Sequence, residues 1–536
     1  MNLGLILTRT ARLWPRRVGL VRGTESWTWA ELERSANALA HALVDFDIGK
    51  ADRVLAQCPN DRYIYESHYA ITRTAGVYTP LNFRASTHET VDMARRSHAK
   101  VLICDPEQMD KALACAAGSP ELAHVILTGK SVAAPRETSV QWHNYDQLVE
   151  QFADRNLVNV PVEHDDPVWH GFTAGTTGVP KGSIMTHGRL SFCLTSRIAD
   201  VMPGLDHTHA TLIIGPLSHG SGTTATCNTM KGARIVMLGT AKFDEGECWR
   251  LIEEHRITSL FTVPTILMGL VNHPARERYD HSSLQHVIYA GAPLPRAHQK
   301  LALAVFGPVL AQYYGLAENM GTTSVLYPSM HSANDDDPDA PINSCGVART
   351  GMEVAIMDEQ MKPLPSGAVG EICTRGPANF WGYHEMPEET ANTLVDGWLR
   401  SGDLGRMDER GFLFIVGRSK EMYKSGGLQV YPNETESVLV RHAAVDEAHV
   451  VSFADSKWGE IGVALVKLKA GASATESELI DHVAQFLARY KLPRRVFFLD
   501  AVPRTASGKV PKQLLRDELY QRGLLSEGVD VPHRPS

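Results

Sequence analysis

A loop rich in small residues reads Phe172-Thr173-Ala174-Gly175-Thr176-Thr177-Gly178-Val179-Pro180-Lys181-Gly182. An apolar run at 168–172 predicts a strand before it, and 186–190 predicts the start of a helix after it. Glycines admit close backbone N–H groups, threonines add hydroxyls and lysine adds positive charge, so the composition suits a phosphate. It is not a Walker loop, because Lys181 precedes Gly182 instead of serine or threonine. Taken alone, the loop is equally compatible with a flexible turn between strand and helix.

The composition limits the class of protein. The chain has 536 residues, 43% hydrophobic and 21% charged, which is typical of a soluble globular protein with more than one domain. The net charge of −8 argues against nucleic-acid or anionic-membrane binding over the whole surface. The eight cysteines contain no C-x-x-C pair, so neither a zinc ribbon nor a disulfide framework is predicted, and a cytoplasmic location is expected.

No run of about eighteen apolar residues occurs, so no membrane span is predicted. Residues 1–7 are predicted to begin an amphipathic helix and not a signal peptide, because no basic segment precedes the apolar one.

Short apolar runs alternate with segments of helical periodicity. Thr28 and Glu31 have the spacing of a capping box at a helix start. Predicted strands lie at 53–56, 100–104, 123–127, 168–172, 210–215, 233–237, 259–264 and 286–289. This alternation predicts βαβ units and an α/β fold with mainly parallel sheets.

Two strand ends carry residues suited to a ligand, because open α/β sheets bind ligands beyond the carboxyl ends of their strands. His219 follows one strand, and Gly291-Ala292-Pro293 follows another and leaves room for a flat ring. Without a ligand, His219 could be a hydrogen-bonded loop histidine, and Gly291-Ala292-Pro293 could form a tight turn at the strand end. Further on, the run Gln312-Tyr313-Tyr314-Gly315-Leu316-Ala317-Glu318-Asn319 offers aromatic faces and a carboxylate that could hold Mg²⁺ beside phosphate.

Together these motifs resemble the adenylate-forming superfamily of acyl-CoA synthetases, peptide-synthetase adenylation domains and firefly luciferase. Its phosphate loop usually reads T-S-G-T-T-G-x-P-K-G, and this chain departs only at Ala174. The resemblance extends from about Thr28 to Leu515. It continues through Gly382-Tyr383, Asp396-Gly397-Trp398-Leu399-Arg400-Ser401-Gly402-Asp403-Leu404, Gly417-Arg418-Ser419-Lys420-Glu421, Lys424-Ser425-Gly426-Gly427 and Pro503-Arg504-Thr505-Ala506-Ser507-Gly508-Lys509-Val510.

The resemblance implies two domains. A large N-terminal domain over 1–418, with several subdomains of mainly parallel sheets flanked by helices, would bind ATP and the acid. A small, mobile α+β domain over 419–536 would rotate about a hinge at Lys420. In one orientation Lys509 would face the site, and in the other the segment 424–427 would.

The resemblance also assigns roles to individual residues. The catalytic residues would be Lys509, Glu318, Thr176 and His219, with Glu318 as the Mg²⁺ ligand. ATP and AMP would be bound by Thr173, Ala174, Gly175, Thr176, Thr177, Gly178, Lys181, Gly291, Ala292, Pro293, Gln312, Tyr313, Tyr314, Ala317, Asp403 and Arg418. Coenzyme A would contact Lys424, Ser425, Gly426 and Gly427. The acid would contact His219, Gly220, Gly222, Thr223, Gly315, Leu316, Asn319 and Met320.

The chemistry accounts for the positive charges in this set. A carboxylate must attack the α-phosphate of ATP, and both groups are anions, so charge has to be neutralised where they meet. Lys509 would do this during adenylation. Ala317 stands where the superfamily often has threonine, so one hydroxyl contact near the α-phosphate is missing or is supplied elsewhere.

The predicted activity is that of an ATP-dependent carboxylic acid–CoA ligase whose partners are small molecules: the acid, ATP, coenzyme A and Mg²⁺. The chain ends soon after Lys509, and 216–224 contains no acidic residue, which disfavours a peptide-synthetase domain. The expected acid pocket contains no arginine or lysine. An aryl, arylalkyl or medium-chain acid is therefore predicted, and a dicarboxylate is less favoured. An acyl-AMP ligase that loads a carrier protein, a luciferase-type oxidation, a catalytically silent nucleotide-binding homologue and a homodimeric state stay open.

Overall fold

The structure of the chain is a computed structural model that describes residues 1–129, 139–173, 180–240, 242–505 and 510–525, with only the backbone for Thr173. It divides into two compact units. The first comprises Met1–Leu294, Lys300–Val354 and Thr374–Leu399, and the second comprises Pro295–Gln299, Ala355–Cys373 and Arg400–Ser536. Residues 400–418 thus belong to the same compact unit as the C-terminal part. The domain boundary after Arg418 and the hinge at Lys420 stay predictions.

The helices are α1 Leu5–Leu13, α2 Trp29–Asp45, α3 Arg62–Arg73, α4 Thr87–Arg96, α5 Met109–Gly118, α6 Tyr145–Gln151, α7 His187–Asp200, α8 Gly220–Lys231, α9 Glu245–His255, α10 Pro264–Asn272, α11 Arg296–Phe306, α12 Pro387–Thr393, α13 Pro432–Leu439, α14 Glu476–Ala484 and α15 Lys512–Gln521. A short 3₁₀ helix covers Ala317–Asn319.

The strands are β1 Val18–Arg22, β2 Glu25–Thr28, β3 Arg53–Gln57, β4 Val77–Pro80, β5 Val101–Cys104, β6 His124–Leu127, β7 Gln141–Asn144, β8 Pro167–Thr173, β9 Lys181–Thr186, β10 Ala210–Ile213, β11 Arg234–Met237, β12 Ser259–Thr262, β13 His286–Tyr289, β14 Leu310–Tyr314, β15 Ser324–Leu326, β16 Val347–Ala348, β17 Glu353–Met357, β18 Gly370–Arg375, β19 Gly382–Tyr383, β20 Leu394–Val395, β21 Trp398–Met407, β22 Leu413–Arg418, β23 Tyr423–Ser425, β24 Leu428–Val430, β25 Val445–Asp455, β26 Gly459–Leu468 and β27 Arg495–Phe498.

Two large sheets dominate the first unit. One has the order β16-β15-β14-β13-β12-β10-β11-β1-β2 and is parallel from β14 to β1, with antiparallel strands at its edges. The other has the order β19-β9-β8-β4-β3-β5-β6-β7 and is parallel from β8 to β7. Parallel strands covered on both faces are apolar along their whole length, as all four residues of β5 show. The predicted α/β fold with mainly parallel sheets is confirmed.

The capping box predicted at Thr28 and Glu31 is confirmed. Thr28 caps α2, accepting from the Glu31 backbone N–H at 3.3 Å, while Glu31 accepts from the Thr28 backbone at 2.7 Å. The eight cysteines are free, buried thiols. Within the described part of the chain, no helix combines the length and the apolar character needed to cross a membrane.

The strand β9 was not predicted. The loop after β8 does not lead directly into a helix, because Lys181–Thr186 first pairs antiparallel with β8, with Phe172 opposite Gly182. Its sequence contains glycine and serine, and its extended state comes from hydrogen bonds to β8 and to β19, which lies far along the chain. The loop therefore connects two antiparallel strands, and α7 begins one residue after β9 ends.

The C-terminal part of the second unit is an α+β arrangement, as predicted. Its sheet has the order β24-β23-β26-β25, with β27 added in parallel to β26. Apolar residues of α13, α14 and these strands form one cluster, and α15 contributes to a second.

A further sheet has the order β17-β18-β21-β20, with β22 paired to β21.

Candidate functional site

The residues that flank the glycine- and threonine-rich loop place one lysine in a polar cluster. Lys181 begins β9, and its ammonium group contacts the Glu389 carboxylate of α12. The same ammonium lies 5.1 Å from the centre of the Tyr383 ring. The predicted loop residues Ala174, Gly175, Thr176, Thr177 and Gly178 and the side chain of Thr173 lie outside the described residues.

Glu318 belongs to the same cluster. Its Oε1 accepts from the Tyr383 hydroxyl at 2.7 Å, and its backbone carbonyl accepts from the Phe380 N–H at 2.6 Å. Burial, followed by the Glu318 carboxylate, raises the pKa of Tyr383 far above its ordinary value, so the phenol stays protonated and donates. The structure therefore brings the predicted residues Lys181 and Glu318 together, since both contact Tyr383.

Tyr383 had no predicted role beyond its place in a matching motif. It reaches the cluster because β19 pairs with β9, with Tyr383 opposite Ser183. A two-residue strand has no periodicity of its own, so sequence patterning gives no signal for this tyrosine.

The residues predicted to bind ATP and AMP after β13 and on β14 occupy two strand ends. Gly291, after β13, has a φ of +88°, which favours glycine, and Gly291, Ala292 and Pro293 are exposed. Gln312 on β14 accepts from the Tyr289 hydroxyl at 3.1 Å. These positions form an open strand end, as expected for a cleft beside the sheet.

Tyr313 and Tyr314 point to opposite faces of β14, because side chains alternate along a strand. Tyr313 is only 7% exposed, and its ring stacks on Phe261 at 5.6 Å. Tyr314 is half-buried. The two tyrosines predicted to bind ATP or AMP thus have different surroundings, and Tyr313 packs beside the residues predicted to bind the acid.

Those acid-contacting residues come from α8 and from the segment after β14. His219 is the exposed N-cap residue of α8, with Gly220, Gly222 and Thr223 in the first turn. A Cβ on Gly220 would lie 2.7 Å from the Phe261 ring and 3.2 Å from the Tyr313 hydroxyl. The small residue at Gly220 therefore allows α8 to approach the two aromatic rings.

The side chain of Asn319 forms hydrogen bonds within its own loop. Its side-chain oxygen accepts from the Leu316 and Thr322 backbone N–H groups at 2.9 and 3.2 Å, and its amide donates to Thr323 at 2.8 Å. The residue is fully buried, so Asn319 holds the segment that carries Leu316 and Met320. Gly315 packs against the Gly321 backbone, where a Cβ would lie 2.5 Å from a carbonyl carbon.

Arg197 is a charged residue of this neighbourhood that was not predicted from the sequence. It lies on α7, is 2% exposed and stands 4.5 Å from the centre of the Tyr313 ring. The expectation of a site without arginine or lysine rested on the segments 219–223 and 315–320, and α7 was not considered. A signal was present: Leu190, Cys193, Leu194 and Arg197 have the spacing of one buried helical face, on which an arginine is unusual.

In the second unit, two of the residues predicted to bind the nucleotide form an ion pair. Asp403 on β21 and Arg418 on β22 are cross-strand neighbours, with Arg418 Nε 3.2 Å from Asp403 Oδ1. The Asp403 carboxylate is nearly buried, whereas the Arg418 side chain is 57% exposed. Their contacts with ATP stay predictions.

The predicted coenzyme A segment forms a tight hairpin between β23 and β24. Gly426 and Gly427 have φ values of +59° and +81°, the signature of a two-residue turn that demands glycine. The Gly426 N–H also donates to the Trp458 carbonyl at 2.8 Å. Turn geometry accounts for both glycines, so the roles of Lys424, Ser425, Gly426 and Gly427 in binding coenzyme A stay predictions. Lys509 lies outside the described residues.

One group of described side chains has the spacing of a metal site, with donor atoms of His98, His384 and Glu385 within 4.8 Å of one another. Arg53, which can only donate, lies 3.2 Å from His384 Nδ1. That nitrogen therefore accepts, and the proton of the neutral ring occupies Nε2, where a metal would bind. His98 meets Glu121 and Glu385 at 3.1 Å each, so the group suits an ion-pair network better than a metal.

Comparison with known proteins supplies the wider context. Residues 7–384 match the family of AMP-binding enzymes, and residues 434–509 match the C-terminal domain of AMP-binding enzymes. The chain is 34% identical over 429 residues to the medium/long-chain-fatty-acid–CoA ligase FadD8 of Mycobacterium tuberculosis, covering 78% of this chain and 73% of that one. It is 32% identical over 517 residues to a feruloyl-CoA synthase of an Amycolatopsis species, covering 96% and 98%.

A solved structure has the same architecture. The amide bond synthetase McbA of Marinactinospora thermotolerans superposes with a TM-score of 0.85 at 27% identity, covering 96% of this chain and 99% of that one. The resemblance inferred from the motifs is therefore confirmed over nearly the whole length. The two matched segments, the relatives and the shared architecture together place the chain in the family of AMP-binding, adenylate-forming enzymes.

Proposed function

We propose that this chain is an ATP-dependent carboxylic acid–CoA ligase. It joins the acid to AMP with release of pyrophosphate, and it then transfers the acyl group to the thiol of coenzyme A with release of AMP. The observation that carries the proposal is the cluster of Lys181, Tyr383 and Glu318 beside the phosphate loop of an AMP-binding enzyme. The names of the fatty-acid–CoA ligase and feruloyl-CoA synthase relatives support the same activity.

The cluster suits a nucleotide held with a divalent cation. Glu318 keeps one carboxylate oxygen on Tyr383, and Oε2 has no hydrogen bond from the residues that the structure describes. Mg²⁺ prefers one or two carboxylates together with phosphate oxygens, so this carboxylate fits the ion. When bound, Mg²⁺ neutralises phosphate charge, while Lys181 holds the β- and γ-phosphates and Lys509 stabilises the α-phosphate as the carboxylate attacks.

We infer that the acid is an aryl, arylalkyl or medium-chain carboxylate. The rings of Phe261 and Tyr313 and the small first turn of α8 support an apolar binding surface for the body of such an acid. We also infer that Tyr314 contacts adenine, since it is half-exposed and Tyr313 is buried.

A cytoplasmic location is part of the proposal, supported by eight buried thiols without a C-x-x-C pair. Coenzyme A is the proposed acceptor. A fatty acid–[acyl-carrier-protein] ligase, ScoC of Streptomyces coeruleorubidus, is 32% identical to this chain, so a carrier protein is the second candidate.

An acid screen tests the proposal, with coenzyme A first omitted and then added. We expect acid-dependent exchange of pyrophosphate into ATP without coenzyme A, and acyl-CoA with AMP once it is present. Absence of exchange across aryl, arylalkyl and aliphatic acids would favour a silent nucleotide-binding homologue. Exchange without acyl-CoA formation would favour a carrier protein as acceptor, and turnover only of acetate or short dicarboxylates would refute the proposed acid class.

A further inference from the structure

Three charged side chains are buried together behind the acid-contacting residues. Arg197 and Asp200 lie on α7, and Arg349 follows β16; they are 2%, 4% and 1% exposed. Asp200 Oδ2 accepts from Arg349 Nε at 3.3 Å and from the Thr350 N–H at 3.0 Å. The Asp200 carboxylate therefore pairs with Arg349, and no carboxylate of the described residues forms an ion pair with Arg197.

The guanidinium groups are also poorly satisfied as hydrogen-bond donors. Arg197 reaches Thr224 Oγ1 at 3.4 Å and the Met320 carbonyl at 3.3 Å, both longer than a good N–H···O bond. Arg349 reaches the Gly321 carbonyl at 3.5 Å, and its Nη2 is buried without a partner in the described structure. Burying an unpaired positive charge is costly, so an additional hydrogen-bond acceptor beside these guanidinium groups would be stabilising.

The position of Arg197 connects the unpaired charge with the acid. Its guanidinium lies over the Tyr313 ring, and it approaches Thr224 of α8 and the carbonyl of Met320. Tyr313 in turn stacks on Phe261 and approaches Gly220. Arg197 thus lies among the side chains that would surround the body of the acid.

We propose that Arg197 recognises an oxygen atom at the end of the acid remote from the reacting carboxyl group, an inference that rests on the proposed function. The acid is then an aryl or medium-chain carboxylate that carries a second oxygen acceptor. A phenolic or keto oxygen supplies the missing acceptor. A second carboxylate supplies both the acceptor and the missing negative charge, and Arg197 is well suited to it because a guanidinium pairs carboxylates with two donors.

Matched acids test this inference. The trio is 3-phenylpropanoate, 3-(4-hydroxyphenyl)propanoate and 3-(4-carboxyphenyl)propanoate, with octanoate, 8-hydroxyoctanoate and octanedioate as the aliphatic trio. A site that hydrogen-bonds a substrate oxygen discriminates strongly against the analogue that lacks it, so we expect at least about a tenfold preference in kcat/KM for an oxygenated member. Within each trio, the hydroxylated acid tests recognition of a neutral oxygen, and the dicarboxylic acid tests recognition of a second carboxylate.

Arg197→Met should abolish this preference while the KM for ATP changes little. Arg189→Met is the matched control, because Arg189 lies on the same helix, bonds the Asn379 carbonyl at 2.7 Å and stacks on Trp381. The control should keep the preference. Arg197→Lys retains the charge without the planar fork, so it should keep part of the preference if the methionine variant fails to fold.

Equal kcat/KM values for oxygenated and unsubstituted acids in the wild type would overturn the inference and leave the ligase activity standing. An oxygen preference that survives in both Arg197 variants would also overturn it. If none of the acids supports pyrophosphate exchange, the proposed function itself fails and the inference falls with it.

Discussion

The Tyr383 hydroxyl donates to Glu318 Oε1 across 2.7 Å, although the two residues are separated by 65 positions in the chain. The same ring lies 5.1 Å from the Lys181 ammonium. One tyrosine therefore orients the proposed Mg²⁺ ligand and packs against the lysine of the phosphate loop. It acts through Glu318 and is a positioning residue.

Tyr383→Phe removes this hydrogen bond and keeps the ring. A hydrogen bond to a charged group contributes about 1.5–3 kcal/mol, so we expect adenylation to fall about tenfold or more and the Mg²⁺ concentration for half-maximal rate to rise. Pyrophosphate exchange at varied Mg²⁺ measures both. Tyr279→Phe is the control, because the Tyr279 hydroxyl has no hydrogen bond among the described residues. An unchanged Mg²⁺ dependence would contradict the positioning role.

Asp403→Asn should raise the KM for ATP by about tenfold, because a neutral amide offers one acceptor oxygen to the ribose hydroxyls where the carboxylate offers two. The melting temperature should change little. The ion pair with Arg418 is exposed on the arginine side, and such pairs contribute about 0–1 kcal/mol. Exchange kinetics at varied ATP and a thermal melt separate the two effects. An unchanged KM would remove Asp403 from the nucleotide site.

Lys509→Ala should nearly abolish adenylation while it largely spares the capture of preformed acyl-AMP by coenzyme A. The lysine charge is needed only where the carboxylate meets the α-phosphate. The two half-reactions are measured separately, by pyrophosphate exchange and by acyl-CoA formation from synthetic acyl-AMP. Equal loss of both would argue against alternation of the C-terminal domain.

Gly427→Ala tests whether the hairpin serves coenzyme A. A Cβ there meets nothing within 4 Å, but the φ of +81° strains alanine by about 1–2 kcal/mol. We expect the thioester-forming step to fall about tenfold with adenylation unchanged, as the proposed thiol path predicts. Gly471→Ala is the matched control in the same unit, with a φ of +75° and equal space. If both variants behave alike, the glycines serve only the turn.

Glu66→Gln should change how stability depends on pH. Burial raises the pKa of Glu66 to about 8, against the lowering effect of Arg62 at 3.9 Å. An unfolded glutamate titrates at about 4.3, so the stabilising contribution of protonated Glu66 is complete below that pH and is lost as pH rises through 8. The melting temperature of the variant relative to that of the wild type should therefore rise between pH 5 and pH 8, by at least about 2 °C.

The glutamine keeps an acceptor for the Tyr145 hydroxyl, which donates to Glu66 at 2.9 Å. Glu107→Gln, at an exposed site, is the control and should follow the wild type at every pH. A melting difference that does not vary with pH would show that Glu66 is not the titrating group.

The strands of the parallel sheets were predictable because each is a short, continuous apolar run between turns. Residues 101–104 are an example, fully buried on both faces. The phosphate loop, Glu318, Asp403 and Lys509 could be proposed from the sequence because each lies in a motif of contiguous residues, and their roles toward ATP stay predictions. β9 was not, since its extended state depends on pairing with β8 and β19.

By itself, the sequence determined the fold class and the family, because local apolar patterns and short motifs carry that information. Only the tertiary structure brought Tyr383 to Glu318 and Arg197 to Tyr313 and Met320. Arg197 and Met320 are 123 positions apart, and their contact depends on how α7 packs beside β14 and α8. Packing between distant segments decides which buried charged side chain has an oppositely charged neighbour, and no local sequence pattern encodes that packing.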